Sequence, residues 1–467
     1  MYSSYSPLQQ SQLAAQGYYD TQSTYLLVYA PGRNTALRAT LADQLHRKFR
    51  LADTLGSALT EGVDGVLLVS EDVECMSTAL MCFAKALQDG ADYAVCNAVF
   101  GFGGATALYQ SRAHLAQNRC ALVSRPLLER CRAAAKDPES VTELLALAAQ
   151  FCAYPTRIPQ ALLHYERDIC AEDAFSATGK RAFLMSHVLD MTGAPIVLVS
   201  AVPVLRSMGY EVVVLGPSDG GALQLFVDAG AAVITRPGIR ATPNLWGLAL
   251  CTDLVLVNTV VMARTVRALS GTAVPVLWWL HDAFAGYPHI AHQIPTKLAG
   301  NVRLYSVGHH AANAMHAVRP DFQIGQLIYG LPDYAAEDFP RCDLGYPADK
   351  PLFATVGSFE RRKGHDIFCA AIRLLPEEVR NKATFLFVGM AADKEMMDAV
   401  RSLTTDCPEN VFYCKRLSRD EIKNLMEQCT CLVCASRDDP MPTFVTEGLI
   451  FGKPSIVSEH TGTAGLI

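Results

Sequence analysis

The stretch Cys434–Ala464, CASRDDPMPTFVTEGLIFGKPSIVSEHTGTA, contains the strongest indication of fold in this sequence. It starts in a short apolar run, passes through an acidic loop with two prolines, and continues into an apolar segment with helical spacing. A Gly-Lys-Pro tripeptide then ends that segment, because glycine favours helix termination and proline cannot continue a helix. The predicted succession is strand, loop, helix and buried strand over Leu432–Ala435, Asp438–Pro442, Thr443–Phe451 and Pro454–Ser458.

Two acids in this stretch, Asp439 and Glu447, are separated by seven residues. The first falls in the loop before the helix and the second about one turn inside it, so both can face one ligand near the helix start. Helix N-termini attract phosphate through their free N–H groups and dipole. Two such acids alone are more often solvated charges. The order in which a strand, the acidic loop, a helix with Gly448 after Glu447, a helix stop and a second strand follow one another makes the pattern specific.

This arrangement resembles the E-x7-E signature of retaining nucleotide-sugar glycosyltransferases of the GT-B fold, glycosyltransferase family 4. Asp439 stands where most members carry the first Glu, which shortens its reach by one methylene. The resemblance spans residues 182–467. It implies an α/β protein with two doubly wound, Rossmann-like domains.

Composition excludes several classes of function. The chain has 467 residues, a net charge of −6 and 50% hydrophobic residues, with basic and acidic residues interspersed, so no nucleic-acid footprint or polybasic membrane anchor is predicted. Its 15 cysteines lack the paired spacing of a disulfide framework and are interpreted as reduced thiols. The C-x-x-C pair of Cys431 and Cys434 is predicted to lie in a buried strand rather than to bind metal.

Five segments are predicted, beginning with a polar, Tyr/Gln/Ser-rich tail that we expect to be disordered. No apolar run approaches the ~18–20 residues of a membrane-spanning helix, so we expect a cytoplasmic protein, either free or in peripheral contact with the inner face of the membrane. The segments are the tail (1–24), an α/β domain (25–168), a linker (169–180), an N-terminal GT-B domain (181–340) and a C-terminal GT-B domain (341–467).

The domain at 25–168 resembles a degenerate part of an inverting GT-A transferase of glycosyltransferase family 2. Its apolar runs Tyr25–Ala30 and Gly65–Ser70 predict buried parallel strands, with helical spacing over Thr35–Arg47 and Leu51–Thr60 between them. Asp72 matches the last Asp of the family's metal-binding motif and would hold a metal only if this domain is active. His164 matches the family's usual His. The nucleotide-reading loop after the first strand is missing, which favours a scaffold.

The domain at 181–340 alternates strands with amphipathic helices, as in a doubly wound sheet. By the resemblance it faces the acceptor, with Gly193 in a loop where the backbone approaches the ligand, and with His187 lining the cleft. His281 follows a Trp-rich strand and matches the family's His near the reacting sugar, with Asp282 beside it. His281 is weighed as catalytic or as a structural group.

The domain at 341–467 resembles the donor-binding half. Its strand Leu352–Val356 runs into a glycine turn and a basic cluster, which form a plausible phosphate cradle before the next helix. Lys363 matches the family's Lys, whereas Ser358 replaces the family's Arg, for which Arg361 or Arg362 would substitute. Relatives continue beyond the position of Ile467, so we expect this domain to be truncated. The resemblance assigns donor binding to Gly357, Ser358, Arg361, Arg362, Lys363, Gly389, Lys415, Thr443 and Glu447, and catalysis to His281, Lys363 and Asp439.

The implied function is transfer of a sugar from a nucleoside-diphosphate sugar to a saccharide or lipid-linked saccharide, with retention, in cell-surface polysaccharide synthesis. No cofactor and no metal would be required, because the basic cluster and the helix start would neutralise the diphosphate. Two alternatives stay open. One is a catalytically silent nucleotide-sugar-binding scaffold, and the other is a GT-B epimerase or phosphorylase.

Overall fold

A computed structural model describes residues 18–59, 62–101, 106–110, 119–152, 155–175, 179–218, 220–239, 247–347 and 349–466. The chain forms two compact units. The first contains Met1–Asp190 and Ala201–Val255, and the second contains Met191–Ser200 and Leu256–Ile467. All the donor-site positions predicted from the sequence fall in the second unit.

The first unit is built on a long mixed sheet. Its strands run in the order β9-β10-β11-β6-β5-β7-β3-β1-β2, with β8 beside β5 and β4 beside β8. The strands are β1 (Leu26–Tyr29), β2 (Phe49–Ala52), β3 (Gly65–Val69), β4 (Glu74–Cys75), β5 (Tyr93–Gly101), β6 (Thr106–Gln110), β7 (Cys120–Ser124), β8 (Thr156–Asp168), β9 (Lys180–Met185), β10 (Tyr210–Gly216) and β11 (Ala232–Thr235). The helices are α1 (Thr35–Leu41), α2 (Ala79–Gln88), α3 (Arg125–Ala134), α4 (Val141–Phe151), α5 (Ala171–Ala174), α6 (Gly193–Ser207), which continues from the second unit, and α7 (Gly221–Asp228).

The parallel strands β1 and β3 confirm the buried runs predicted near the N-terminus, since every residue of both strands is buried. The prediction of a helix over Leu51–Thr60 is wrong. Residues Phe49–Ala52 instead pair with Leu26–Tyr29 as a parallel strand, and turns follow them. Pairing with a buried neighbour outweighs helical spacing here, because a short segment gains more from the sheet than from its own propensity. The tail at 1–17 lies outside the described residues.

The second unit contains two groups of strands. The first group, in the order β15-β14-β13-β12, comprises β12 (Leu254–Asn258), which enters from the first unit, β13 (Val276–Leu280), β14 (Val302–Ser306) and β15 (Ile324–Gln326). The pairs β13–β14 and β14–β15 are parallel. Helices α8 (Ala263–Leu269) and α9 (His309–His316) connect them. Alternation of parallel strands and helices confirms the predicted α/β pattern in this region.

The second group is a separate five-stranded sheet with all neighbours parallel, in the order β18-β17-β16-β19-β20. Its elements are β16 (Leu352–Val356), α10 (His365–Leu374), α11 (Glu377–Arg380), β17 (Thr384–Val388), α12 (Lys394–Asp406), β18 (Val411–Cys414), α13 (Arg419–Gln428), β19 (Cys431–Cys434), α14 (Thr443–Ile450) and β20 (Ser455–Val457). The strand order reverses between β16 and β19. Ligands of doubly wound sheets bind at such a reversal, at the carboxyl ends of the strands.

Apolar side chains cover both faces of this sheet and hold its strands rigidly. One cluster packs Leu386, Leu432 and Val445 together, and another packs Phe359, Phe387 and Val400. Each fully buried side chain of this size contributes about 1.5–3 kcal/mol relative to exposure. The Cys431–Cys434 strand is buried along its whole length, which confirms the interpretation of the C-x-x-C pair as core. The loops that leave β16 and β19 therefore start from a fixed platform.

Candidate functional site

The candidate site lies where the loops after β16 and β19 meet at the reversal of strand order. The first loop carries the predicted basic cluster, and the second carries the predicted acids. Phe353 and Ala354 of β16 pair in register with Cys431 and Leu432 of β19, so the two loops leave the sheet side by side. The sequence predicted both loops, and the sheet brings them together.

Gly364 allows the two loops to touch. Its φ of +68° is left-handed, and a Cβ at this position would lie 2.0 Å from the carbonyl oxygen of Ala435. Only glycine fits this conformation and this contact. The backbone N–H of Arg437 donates to the carbonyl of Arg362 at 2.7 Å, which fastens the loops together a second time. The Arg437 guanidinium also grips Asp366 at the start of α10, with both distances 2.7 Å.

Lys363 and Asp439 form an ion pair across the two loops, with Nζ 2.5 Å from Oδ2. Both side chains are largely buried, at 17% and 4% exposure. A buried pair of this kind is held strongly because either charge alone would lose solvation without compensation. The structure thus joins two of the three residues to which the resemblance assigns catalysis.

The rest of the basic loop forms a local network. The Ser358 hydroxyl donates to one oxygen of Glu360, and Arg362 Nε donates to the other at 2.7 Å. Burial acts to raise the pKa of Glu360, but the Ser358 hydrogen bond and the Arg362 charge outweigh it, so the pKa is lowered. Arg361 is mostly exposed, and its guanidinium lies 3.9 Å from the Glu395 carboxylate. Arg362 and Ser358 therefore share the Glu360 carboxylate, whereas Arg361 does not take part in this network.

Helix α14 begins at Thr443 after Pro442, as predicted, four residues after Asp439. A Cβ on Gly193 would lie 3.6 Å from Thr443 Cγ2, so the first residue of α6 approaches the start of α14 closely. The Asn258 side chain holds the start of α6 by donating to the Ala194 carbonyl at 3.0 Å. Gly193 and Thr443, predicted on opposite sides of the ligand, are thus neighbours.

Glu447 is buried on α14 and pairs with a residue that the sequence analysis did not select. Arg419 Nη1 donates to Glu447 Oε1 at 2.6 Å. Burial, followed by the charges of Asp439 and Glu447, raises the pKa of Tyr329, although its hydrogen bond with Thr446 lowers it. The Tyr329 hydroxyl donates to the Met441 carbonyl at 3.2 Å. Tyr329 therefore lies close to both acids of the predicted signature.

His281 and Asp282 follow β13, as predicted, and the Asp282 carboxylate supports a strained turn. The His281 ring packs edge-on against Trp279 with centroids 4.6 Å apart. Val260 N–H donates to Asp282 Oδ2 at 2.6 Å. The preceding Thr259 has a φ of +72°, which is unusual for a β-branched residue and marks stored backbone strain. Burial raises the pKa of Asp282 to about 6, although the hydrogen bond from Val260 acts against this rise.

Asp438 connects the acidic loop to the segments after β13 and β14. Its carboxylate accepts hydrogen bonds from the N–H groups of Phe284 (3.2 Å) and Ala285 (2.8 Å), and it pairs with His310 Nε2 at 2.7 Å. The Asp438 and His310 side chains are only 14% and 15% exposed. This carboxylate therefore positions the loop that carries Asp439 relative to the segment that follows His281.

The remaining predicted positions lie at different places. A Cβ on Gly389, after β17, would lie 1.8 Å from the Gly357 carbonyl, so these two glycines line adjacent turns. Lys415 is exposed after β18, and no contact with the cluster around Lys363 is found for it among the described residues. His187 follows β9 in the first unit, where its side chain is half-buried.

Asp72 caps helix α1 in the first unit. Its two carboxylate oxygens accept hydrogen bonds from the N–H groups of Ala36 and Leu37, each at 3.0 Å. His164 pairs with Glu74 at 2.7 Å. Within the described ranges, no group of three or more His, Cys, Asp or Glu side chains is arranged to hold a metal ion. Metal binding by Asp72 stays a prediction, and a metal would compete with the helix cap.

Sequence reasoning missed Arg419, Tyr329 and Asp438 as parts of the site. Asp438 could have been suspected, because it precedes Asp439 in the acidic loop. Arg419 and Tyr329 carry no local signal, and only the folded sheet brings them to the acids.

Among the described residues, no helix combines the length and apolar character needed to cross a bilayer.

Two family models match separate parts of this chain. Residues 178–313 match the family described as glycosyl-transferase family 4, and residues 338–467 match glycosyl transferases group 1. Among curated proteins, none matches the chain significantly.

Two solved structures of low sequence identity, both of HepE, share the fold of part of this chain. HepE of Anabaena in complex with UDP and glucose is 17% identical, with a TM-score of 0.50 over 62% of this chain and 83% of that chain. The HepE complex with UDP is 19% identical, with the same TM-score and coverage. Sucrose-phosphate synthase of Thermosynechococcus elongatus is 16% identical, with a TM-score of 0.46 over 61% of this chain and 82% of that chain. The two family matches and the shared fold support a glycosyltransferase of the GT-B type, in which residues 178–313 are similar to family 4 and residues 338–467 are similar to group 1.

Proposed function

We propose that the chain transfers a hexosyl or deoxyhexosyl unit from a nucleoside-diphosphate sugar to a saccharide or lipid-linked saccharide, with the anomeric configuration retained. The observation that carries this proposal is the Lys363–Asp439 pair at the reversal of strand order, next to the start of α14. A cation, a helix N-terminus and an acid converge there, which is the chemistry that a sugar bound to diphosphate requires.

In the proposed reaction, the bond between the anomeric carbon and the diphosphate oxygen breaks as the acceptor oxygen attacks on the same face, and the proton of the acceptor hydroxyl passes to the leaving diphosphate oxygen. The leaving diphosphate carries two negative charges, so charge stabilisation and positioning supply most of the catalysis. Lys363, with Arg362 nearby and the first N–H groups of α14, would neutralise these charges without a metal. Asp439 would face the donor sugar, and Glu447 would hold the ribose.

The acceptor would approach from the family 4 domain. We assign this side to Gly193, His281 and Asp282, and we retain His187 as a predicted cleft residue. We propose His281 as the residue closest to the reacting sugar, because it follows the end of a strand. It also precedes Asp282, whose carboxylate supports the Thr259–Val260 turn.

The domain boundaries and the biological setting belong to the same proposal. The family matches begin at residues 178 and 338, near the predicted boundaries at 181 and 341. The domain at 25–168 would be a degenerate GT-A-like scaffold. A role in cell-surface polysaccharide synthesis, in the cytoplasm or at the inner face of the membrane, stays a prediction.

Two measurements test the proposal. The first is thermal stabilisation by a panel of nucleoside-diphosphate sugars, since a ligand at about 100 times its dissociation constant adds ~2.7 kcal/mol to the free energy of unfolding. The second is donor consumption with and without saccharide acceptors, followed by the anomeric configuration of the product. Product analysis also separates transfer from epimerisation and phosphorolysis. A wild-type chain that neither binds nor consumes any donor in a broad panel would refute the proposal.

A second candidate is a nucleotide-sugar-binding scaffold without turnover. Ser358 favours it, because its hydroxyl is already bonded to Glu360 at a position where the family carries an Arg that grips the diphosphate. Such a scaffold would be stabilised by the nucleotide and would leave the donor intact.

A further inference from the structure

The carboxylate of Glu447 is held by an arginine and an aromatic ring from two other segments. Arg419 Nη1 lies 2.6 Å from Glu447 Oε1, and the Arg419 guanidinium carbon lies 4.3 Å from the centre of the Tyr334 ring. The Glu447 side chain is 9% exposed and that of Arg419 is 39% exposed. The guanidinium is therefore sandwiched between a buried acid and a ring.

Arg419 has a fixed starting point because it is the first residue of α13. Ser418 caps this helix reciprocally with Glu421: the Ser418 hydroxyl accepts from the Glu421 N–H at 3.2 Å, and Glu421 Oε2 accepts from the Ser418 N–H at 2.6 Å. A reciprocal cap of this kind fixes the direction in which a helix begins. The backbone of Arg419 is thus placed independently of its ion pair.

The ring beneath Arg419 is also anchored to α13. Tyr334 belongs to the segment between the two halves of the second unit, and Lys423 of α13 pairs with Glu337 of the same segment at 2.5 Å. Asn424 of α13 donates to the Pro340 carbonyl at 2.8 Å. The helix therefore holds both the guanidinium and the ring on which it stacks.

We propose that Arg419 is a positioning residue for nucleotide recognition, which ties Glu447 Oε1 so that Oε2 accepts hydrogen bonds from the ribose hydroxyls of a nucleoside diphosphate. This inference rests on the proposed function, in which Glu447 holds the donor ribose. A carboxylate with one oxygen tied rotates less freely, so its other oxygen is a better-positioned acceptor that can distinguish a ribose from a sugar that lacks a hydroxyl. A carboxylate free to rotate presents no fixed acceptor and loses that distinction.

The test compares the dissociation constants of UDP, ADP and GDP with those of their 2′-deoxy and 3′-deoxy counterparts on the full chain. A hydrogen bond from a ribose hydroxyl to the charged Glu447 carboxylate should give the wild-type chain about a 10-fold or larger preference for the ribonucleotide over at least one deoxy form. In Arg419→Met we expect that preference to fall to about 2-fold or less. Arg419→Lys should restore part of it, because a cation again reaches the carboxylate.

The matched control is Arg373→Met, which removes another arginine paired with a carboxylate, Asp406 at 2.7 Å, in the same domain. It should keep the wild-type preference.

If Arg419→Met unfolds, Arg419→Gln and Tyr334→Leu carry the same test, since the first shortens the donor and the second removes the ring. A folded Arg419 variant with the full wild-type preference would overturn the inference, and so would a wild type that binds ribo and deoxy forms equally. A wild type that binds no nucleoside diphosphate would instead overturn the proposed function itself.

Discussion

Lys363 Nζ lies 2.5 Å from Asp439 Oδ2, so the cation predicted to grip the donor diphosphate is already neutralised by the acid predicted to face the donor sugar. A diphosphate that enters this site must compete with Asp439 for Lys363. The pair therefore couples binding of the nucleotide to release of the acid.

Replacing Asp439 by asparagine should separate nucleotide binding from transfer. Asp439→Asn frees the Lys363 charge, so we expect severalfold tighter binding of a nucleoside diphosphate that lacks the sugar. The rate of sugar transfer should fall, because the negative charge beside the anomeric carbon is gone. Calorimetric titration and steady-state kinetics measure the two effects. Weaker nucleotide binding in this variant would contradict the competition.

Removing Lys363 should cost most of the activity. Losing one contact to a developing charge typically costs ~2–4 kcal/mol of transition-state stabilisation. We expect Lys363→Ala to lower kcat/KM by the corresponding factor. The double variant Lys363→Ala, Asp439→Asn separates this loss from the effect of leaving Asp439 buried and unpaired. Lys382→Ala, at an exposed position in the same domain, is the control and should keep wild-type kinetics.

Asp438→Ala should destabilise the second unit. Its removal leaves the exposed N–H groups of Phe284 and Ala285 to water and leaves the largely buried His310 without its partner, and one buried group left unsatisfied costs about 1–3 kcal/mol. Urea unfolding measures the change in the free energy of unfolding. Glu459→Ala, whose side chain is 89% exposed, should change it by less than about 0.5 kcal/mol. Equal effects of the two substitutions would exclude a structural role for Asp438.

Asp282 should make the protein less stable as the pH rises through about 6. Burial raises its pKa to about 6 in the folded chain, whereas an aspartate in the unfolded chain titrates near ~3.9. The folded state therefore holds the proton more tightly, and this stability is present below pH ~4 and lost as the pH rises through about 6. Asp282→Asn keeps an acceptor for Val260 and should flatten this part of the profile of melting temperature against pH. An unchanged profile would contradict the assignment.

His365 should act in the opposite direction. Burial and the nearby charge of Lys363 lower its pKa to about 4, and among the described residues neither ring nitrogen has a hydrogen-bond partner. Because histidine in an unfolded chain titrates near ~6.5, the stability it contributes is present above that pH and lost as the pH falls through about 4. His365→Leu should remove this acid destabilisation. Urea unfolding of the wild type and of His365→Leu at pH 7 and pH 4.5 measures this loss of stability. An equal loss between the two pH values in both proteins would contradict the prediction.

Local signals predicted much of the second unit. Proline and glycine around α14, the buried run of β19 and the glycine turn after β16 are properties of adjacent residues, and the structure contains all three elements. The helix expected at Leu51–Thr60 was wrong because pairing with Leu26–Tyr29 is a non-local interaction that periodicity cannot report. The pairing of Arg419 with Glu447 was unpredictable for the same reason. Twenty-eight positions separate them along the chain, and only the sheet places α13 beside α14.

The contact at Gly364 has a consequence for how this site can diversify. Any side chain there would strike the Ala435 carbonyl, so the basic turn and the acidic loop are fitted to each other without slack. A change in the length of one loop would require a matching change in the other. New substrates are therefore more readily acquired by altering the outer surroundings of the two loops than by remodelling their junction.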